Sequence, residues 1–269
     1  MSESVTTPAT AGTHLGPRPL LAYLATTGRI LRQLRNDPRT VAMILVVPAV
    51  LMTLLYFIYR DVPTSPTQPI ALFDRVGISM LGILPFIVMF LITAIAMQRE
   101  RTSGTLERLL TTPLTKIDLL GGYGTAFSVA AAAQAAVACL VSFGLLGLQA
   151  AGSPAWVVLI AMADAVLGVA LGLLCSAFAR TEFQAVQFMP VVAAPQIFLC
   201  GLLVPREQLP NWLEAISNVL PLSYAVDALQ QVSVHPEPTG TMWRDLAIVL
   251  AFAVIALALG AATLRRRTL

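Results

Sequence analysis

The single lysine of the chain, Lys116, lies between Thr115 and Ile117. A phosphate-cradling loop needs a lysine that follows glycine and precedes serine or threonine, so this chain cannot hold ATP in that way. His14 and His235 stand alone, with no metal-ligand partner at helical spacing, which argues against zinc chemistry. Cys139, Cys175 and Cys200 each fall inside an apolar stretch and far from one another, the pattern of packing residues and not of a disulfide framework or a metal-binding spacing. Asp164 is the one carboxylate placed well inside an apolar block, whereas an intramembrane aspartyl protease needs two that face each other. These residues supply neither a catalytic centre nor a cofactor or metal site. The groups left to explain are Asp164 and two polar, proline-punctuated segments, Gln98 to Asp118 and Pro205 to Met242.

The elements that must position them are set by composition. The chain has 269 residues, of which 57% are apolar and 12% charged; a soluble domain carries about 25% charged residues. The apolar residues fall in blocks of roughly twenty, the length that crosses about 30 Å of hydrocarbon at 1.5 Å per residue. Six such blocks predict spans at 40–59, 76–97, 119–148, 154–178, 184–204 and 243–264. Gly121, Gly122 and Gly124 at the head of the third block suggest that its helix proper begins near Thr125. Pro48, Pro85, Pro190 and Pro195 are kinks that membrane helices tolerate, because neighbouring groups satisfy the freed carbonyls. Residues 1–19 are polar and rich in Thr and Pro, with no apolar run ending in a small-residue cleavage site, and are expected to be a disordered cytoplasmic tail. Residues 20–269 then form one membrane domain.

Orientation follows from the basic residues. With the N-terminus inside, the cytoplasmic side holds Arg18, Arg29, Arg32, Arg35, Arg39, Arg99, Arg101, Arg108, Lys116, Arg180 and Arg265 to Arg267, against Arg60, Arg75, Arg206 and Arg244 outside. Both termini are therefore expected in the cytoplasm, as an even number of spans requires. Between Leu20 and Arg39, Leu20, Leu24, Ile30, Leu31 and Leu34 share one side of a helical wheel, and Arg29, Arg32, Arg35 and Arg39 the adjacent side. That is the pattern of a helix lying in the membrane surface, joined to the first span through Asn36-Asp37-Pro38.

At the end of the second span the sequence runs Arg99-Glu100-Arg101-Thr102-Ser103-Gly104-Thr105-Leu106-Glu107-Arg108-Leu109-Leu110-Thr111-Thr112-Pro113-Leu114. Gly104 can turn the chain sharply, and Thr105, Leu106, Leu109 and Leu110 can begin a short helix that Pro113 ends. Glu100 and Glu107, interleaved with Arg99, Arg101 and Arg108, make a mixed-charge surface suited to a soluble partner. A second stretch reads Gly201-Leu202-Leu203-Val204-Pro205, then Leu209-Pro210-Asn211-Trp212-Leu213, then Leu220-Pro221-Leu222-Ser223-Tyr224-Ala225-Val226-Asp227-Ala228. Its prolines punctuate a segment apolar enough to lie at the outer interface or to re-enter the membrane, with Trp212 as an interfacial anchor.

Together these stretches closely resemble the type-2 permeases of ATP-binding-cassette exporters, the group that includes daunorubicin-resistance permeases and polysaccharide and lipid-linked exporters. The likeness covers nearly the whole chain after residue 20. It implies an all-α membrane protein of the bacterial plasma (inner) membrane, with an N-terminal interfacial helix, a cytoplasmic coupling helix and an external re-entrant pair before the last span. It also implies that Arg99, Glu100, Arg101, Gly104, Thr105, Leu106, Glu107, Leu109, Leu110 and Pro113 dock on an ATPase subunit and transmit its motion. Gly201, Pro205, Pro210, Trp212, Pro221, Tyr224 and Asp227 are then expected to close the outer end of the transport path.

The expected partners are two ATP-binding-cassette ATPase subunits, which would bring the ATP and magnesium, and a second permease, identical or homologous, in surrounding lipid; no nucleic acid is implied. The substrate class is hydrophobic or amphipathic, drug or lipid-like, with a cell-envelope polysaccharide or glycolipid as the alternative. A secondary transporter or channel is disfavoured by the lack of symmetric broken helices in two halves and by the scarcity of charge within the spans. A membrane scaffold without transport activity stays open.

Asp164, about ten residues into the fourth span, would cost roughly 2.5–3.5 kcal/mol facing lipid at the bilayer centre, and so is expected to face protein or water. Gly168 and Gly172 follow on the same face at the spacing that lets helices approach closely. A buried packing seam with a hydrogen-bonding partner such as Gln134 is favoured over a substrate or proton site.

Overall fold

The computed structural model describes residues 19–63, 71–104 and 116–263. Within them the chain is helical: α1 (Pro19–Arg35), α2 (Pro38–Tyr59), α3 (Leu72–Thr102), α4 (Lys116–Gly144), α5 (Pro154–Ser176), α6 (Glu182–Leu199), α7 (Asn211–Ser217), α8 (Pro221–Val234) and α9 (Gly240–Thr263), with a 3-10 turn at Arg206–Gln208 before α7. Of these, α2, α3, α4, α5 and α9 are long and apolar enough to cross a membrane. The expected fifth span, 184–204, falls on α6, which has 18 residues and carries Gln184, Gln187, Gln196, Pro190 and Pro195. At 1.5 Å per residue it measures about 27 Å.

The surface helix and the first span meet as the sequence predicts. Asp37 caps α2: its carboxylate accepts from the Thr40 amide at 3.2 Å and from the Thr40 hydroxyl at 2.6 Å. Pro38, whose missing N–H costs nothing in a first turn, opens the helix. The Thr40 hydroxyl, first among several contacts, holds the Asp37 carboxyl below its ordinary value. The helix break lets α1 fold back onto α4.

That packing corrects the reading of the third span. Helix α4 does not begin near Thr125; it starts at Lys116 and runs straight through Gly121, Gly122 and Gly124. The glycines form the bed for α1. A Cβ at Gly122 would lie 2.8 Å from Thr26 Cγ2, and one at Gly121 3.1 Å from the Tyr23 ring. The span also ends earlier than expected, at Gly144.

The core centres on α5, whose span is 67% buried, while α2 at 17% is peripheral. Its seam with α3 runs along Asp164, Gly168 and Gly172, all buried. A Cβ at Gly168 would stand 2.4 Å from the Phe86 carbonyl oxygen, and one at Gly172 2.5 Å from that of Phe90, so the two backbones touch. Helix α3 has 31 residues. Its length of about 46 Å exceeds the hydrocarbon core by about 16 Å, which carries Arg99, Glu100 and Arg101 beyond the apolar block.

Candidate functional site

The projecting end of α3 is fixed by ion pairs to two other helices, α6 and α1, and through Arg29 to a hydroxyl of α4. Arg99 pairs with Glu182 at the start of α6, at 3.2 Å, on the exposed surface. One residue on, the helix turns Glu100 inward, where it is 8% exposed. Glu100 Oε1 lies 3.5 Å from Arg29 Nη1 of α1. Arg29 Nη2 donates to the Tyr123 hydroxyl of α4 at 2.6 Å, and the same guanidinium lies 5.7 Å from the Tyr123 ring centroid. The Tyr23 and Thr125 hydroxyls form a second bond between α1 and α4. The sequence reading placed Glu100 on a surface open to a partner. Tertiary packing instead makes it the link that holds α3, α1 and α4 together.

Arg101 is half-buried, and its Nε and Nη2 hydrogen-bond to none of the described residues. Gly104 follows Ser103 with φ +71°, the left-handed conformation that glycine supplies at helix ends. Thr105, Leu106, Glu107, Leu109, Leu110 and Pro113 lie outside the described residues.

Between α1, α2, α3 and α4, at the same end, is a cavity of about 400 Å³. Ile30, Met43, Ile92 and Phe127 make its apolar walls, and Asp37, Arg99 and Glu100 its polar ones.

At the other end of α3, the second stretch forms two short helices, α7 and α8, after a tight turn. Gly201 has φ +89°, and a Cβ there would lie 3.4 Å from Arg206 Cγ. Pro205 precedes the 3-10 turn, Pro210 precedes α7, and Pro221 opens α8. Arg206 clasps the unit: it donates to Asp227 of α8 and to the Asn218 side chain, and lies 5.4 Å from the Tyr224 ring centroid. The Tyr224 hydroxyl donates to the Asn218 carbonyl at 2.7 Å. Gln196 of α6 accepts from the Leu222 amide, and the Ser217 hydroxyl donates to the Leu199 carbonyl, so the pair is fastened to α6. Leu229 of α8 reaches α3 at Gly82. Trp212, 66% exposed, points outward with Ile216 and Val219.

Burial pushes the Asp227 carboxyl up to about 6, although Arg206 pulls it down. An acid raised in the fold above its ordinary value, about 3.9, contributes stability that is complete below that value and is lost as pH rises through 6. The thermal midpoint of the chain in detergent is expected to fall between about pH 4 and pH 7, and Asp227→Asn to flatten that slope. An unchanged slope in Asp227→Asn would assign it to other groups.

Asp164 is fully buried, and neither its carboxylate nor the Gln134 amide has a hydrogen-bonding partner among the described residues. The expected Asp164–Gln134 bond is absent; Asp164 points at α3 beside Gly82, where an added Cβ would lie 3.2 Å from Oδ2. Cys139 and Cys200 are buried and Cys175 half-buried, all as free thiols.

The sequence reading missed Tyr123 and Gln196, took Arg29 as part of the polar side of a surface helix, and took Arg206 as a topology marker only. Tyr123 stands between two glycines of α4, a flat stretch that invites a neighbouring helix, and this is the one local signal that pointed to it.

Compared with known proteins, residues 22–233 match the family model described as ABC-2 type transporter. The chain is 27% identical over 168 residues to the probable multidrug ABC transporter permease YbhR of Escherichia coli K12, an alignment covering 62% of this chain and 46% of the relative. It is 27% identical over 165 residues to the linearmycin resistance permease protein LnrN of Bacillus subtilis 168, covering 61% and 43%. With Nodulation protein J of Rhizobium leguminosarum bv. viciae the identity is 26% over 177 residues, covering 64% and 66%. The chain thus spans about half the length of the first of these curated relatives.

Proposed function

Because the chain belongs to the ABC-2 type transporter family, we propose that it is the membrane permease of an exporter driven by a separate ATPase. It is a multi-pass membrane protein, and relatives are named as multidrug and linearmycin-resistance permeases. The substrate on this reading is hydrophobic or amphipathic, and it leaves the cytoplasm or the inner leaflet of a bacterial plasma membrane. The working unit is two permeases and two ATPase subunits, with ATP and magnesium in the latter. Six spans, with α6 as the fifth, put both termini in the cytoplasm.

The observation that carries the reading is the fastened end of α3. A push delivered to the segment after Gly104 meets a helix end tied through Glu100 and Arg29 to α1 and α4, and through Arg99 to α6. Force applied there moves several helices as one body. Arg99, Glu100 and Arg101 on this reading position the coupling segment, and Gly104 aims it. At the far end, α7 and α8 with Gly201, Pro205, Pro210, Trp212, Pro221, Tyr224 and Asp227 form the outer closure.

The test is copurification with the candidate ATPase and its transport-linked ATP hydrolysis. A Cβ at Gly104 meets none of the described residues within 4 Å, so among them Gly104→Val acts through φ +71° alone. It is expected to lower both readouts, whereas Gly104→Asn, which tolerates positive φ, keeps them. Glu107→Lys should weaken association about tenfold or more if its charge is desolvated at the contact. Normal association by both Gly104→Val and Glu107→Lys, in chains that insert and fold, would remove the coupling role.

A further inference from the structure

Asp164 differs from the other buried acids of the core. Glu100 faces Arg29 and Asp245 accepts from Arg244, whereas neither oxygen of the fully buried Asp164 hydrogen-bonds to any of the described residues. Nor is a cation at hand: Arg206 is taken by Asp227, and α3, which Asp164 abuts, carries no charged residue between Arg75 and Arg99. A carboxylate isolated in this way costs far more than a neutral acid, which gives up only hydrogen bonds. The spot is a junction of three helices. Gly82 of α3 makes room for Asp164 of α5 and Leu229 of α8 together: an added Cβ would lie 3.2 Å from Asp164 Oδ2 and 2.7 Å from Leu229 Cδ1. Leu229, itself fully buried, thus closes the junction from the side of α8. The titratable groups that the neighbouring helices bring to this half of the core are Cys139 of α4, Cys200 at the end of α6, Asp227 of α8 and Asp245 of α9. None of them is a cation.

We propose that Asp164 is a proton-binding site gated by α8, neutral while Leu229 packs on Gly82 and ionised when that contact opens. On opening, water reaches the carboxyl, its O–H bond breaks, the proton passes to the water and a solvated carboxylate remains. Separation of α8 from α3 then releases one proton, so acid holds the junction shut and alkali favours its opening. The link to transport rests on the proposed role of α7 and α8 as the outer closure; the bound proton does not.

The test is an infrared spectrum of the full chain in an ester-free detergent at about pH 8, where Asp227, which titrates at about 6, is ionised. A carbonyl stretch from a neutral carboxyl, separate from the amide bands, is expected in the wild-type chain. Asp164→Asn, whose amide keeps the shape of the neutral acid, should lose that band at an unchanged thermal midpoint. Isotopic labelling of the aspartate carboxyls should shift the band in the wild-type chain, which identifies it as an aspartate even where Asp164→Asn folds poorly. Leu229→Ala, which opens the junction to water and changes no charge, should lower the pH at which the band disappears by about one unit or more. Absence of the band from the wild-type chain, its survival in Asp164→Asn, or a failure of the aspartate label to shift it would overturn the proton site, and an unchanged titration in Leu229→Ala would overturn the gate. No ATPase takes part, so a missing band leaves the copurification result standing, and failed copurification leaves the proton site standing.

Discussion

Alanine at Gly168 or Gly172 is expected to prevent the chain from reaching its assembled fold. At both positions the added methyl would meet backbone, the carbonyl oxygens of Phe86 at 2.4 Å and of Phe90 at 2.5 Å. No side-chain rotation relieves such contacts, so α3 and α5 must move apart along a buried seam. Overpacking a tight core costs typically about 1–3 kcal/mol, and rigid backbone puts these sites at or above the upper end. The seam has little else to lose, because helices in a bilayer associate through close packing without a hydrophobic drive of their own. A thermal midpoint and a size-exclusion profile in detergent would read the effect. The control is Gly28→Ala in α1, where a Cβ meets nothing within 4 Å. That change should leave the midpoint level or raise it, since alanine is about 1 kcal/mol better than glycine inside a helix. A native midpoint for Gly168→Ala would mean that the two helices are farther apart than described.

The second large effect is expected from reversing Glu100. Glu100→Lys places an ammonium beside Arg29 in a site where the acidic side chain is 9% and the arginine 35% exposed. Breaking a fully buried pair costs about 3–5 kcal/mol; the partial exposure of Arg29 reduces this to on the order of 2–3 kcal/mol. The fall in thermal midpoint should appear in the isolated chain, with no ATPase present. The exchanged pair, Arg29→Glu with Glu100→Arg, should recover part of it. If Glu100 faced a soluble partner instead, single reversal would leave the isolated chain at its native midpoint and change association only. The two readings thus separate in one experiment.

The chain positions of five of the six expected membrane helices were legible from residue order, because an apolar block of that length is a local property. Twenty apolar residues cross a bilayer whatever their neighbours are, and Pro38, Pro205, Pro210 and Pro221 end or open helices through their own rings. The turn at Asn36-Asp37-Pro38, Gly104 as a sharp turn and the amphipathic pattern of α1 are likewise short-range signals. The polar stretch that becomes the projecting, charged end of α3 stood out by the same logic, since charge interrupts an apolar chain at few places.

What residue order did not determine is which side of each helix finds another. Gly121, Gly122 and Gly124 look like a helix start in one dimension, yet they are a bed for Thr26 and Tyr23, residues about a hundred positions away. Glu100 reads as one charge among five in a surface segment, but the turn of α3 and the return of α1 through the Asp37 bend bury it against Arg29 and Tyr123. Arg206 reads as a lone external cation until α8 brings Asp227 to it. Burial depends on contacts between distant segments, and a carboxylate carries no mark of whether water or an arginine will answer it. The cavity between α1, α2, α3 and α4 exists only after four helices have met, and composition and spacing have no term for the space they leave between them.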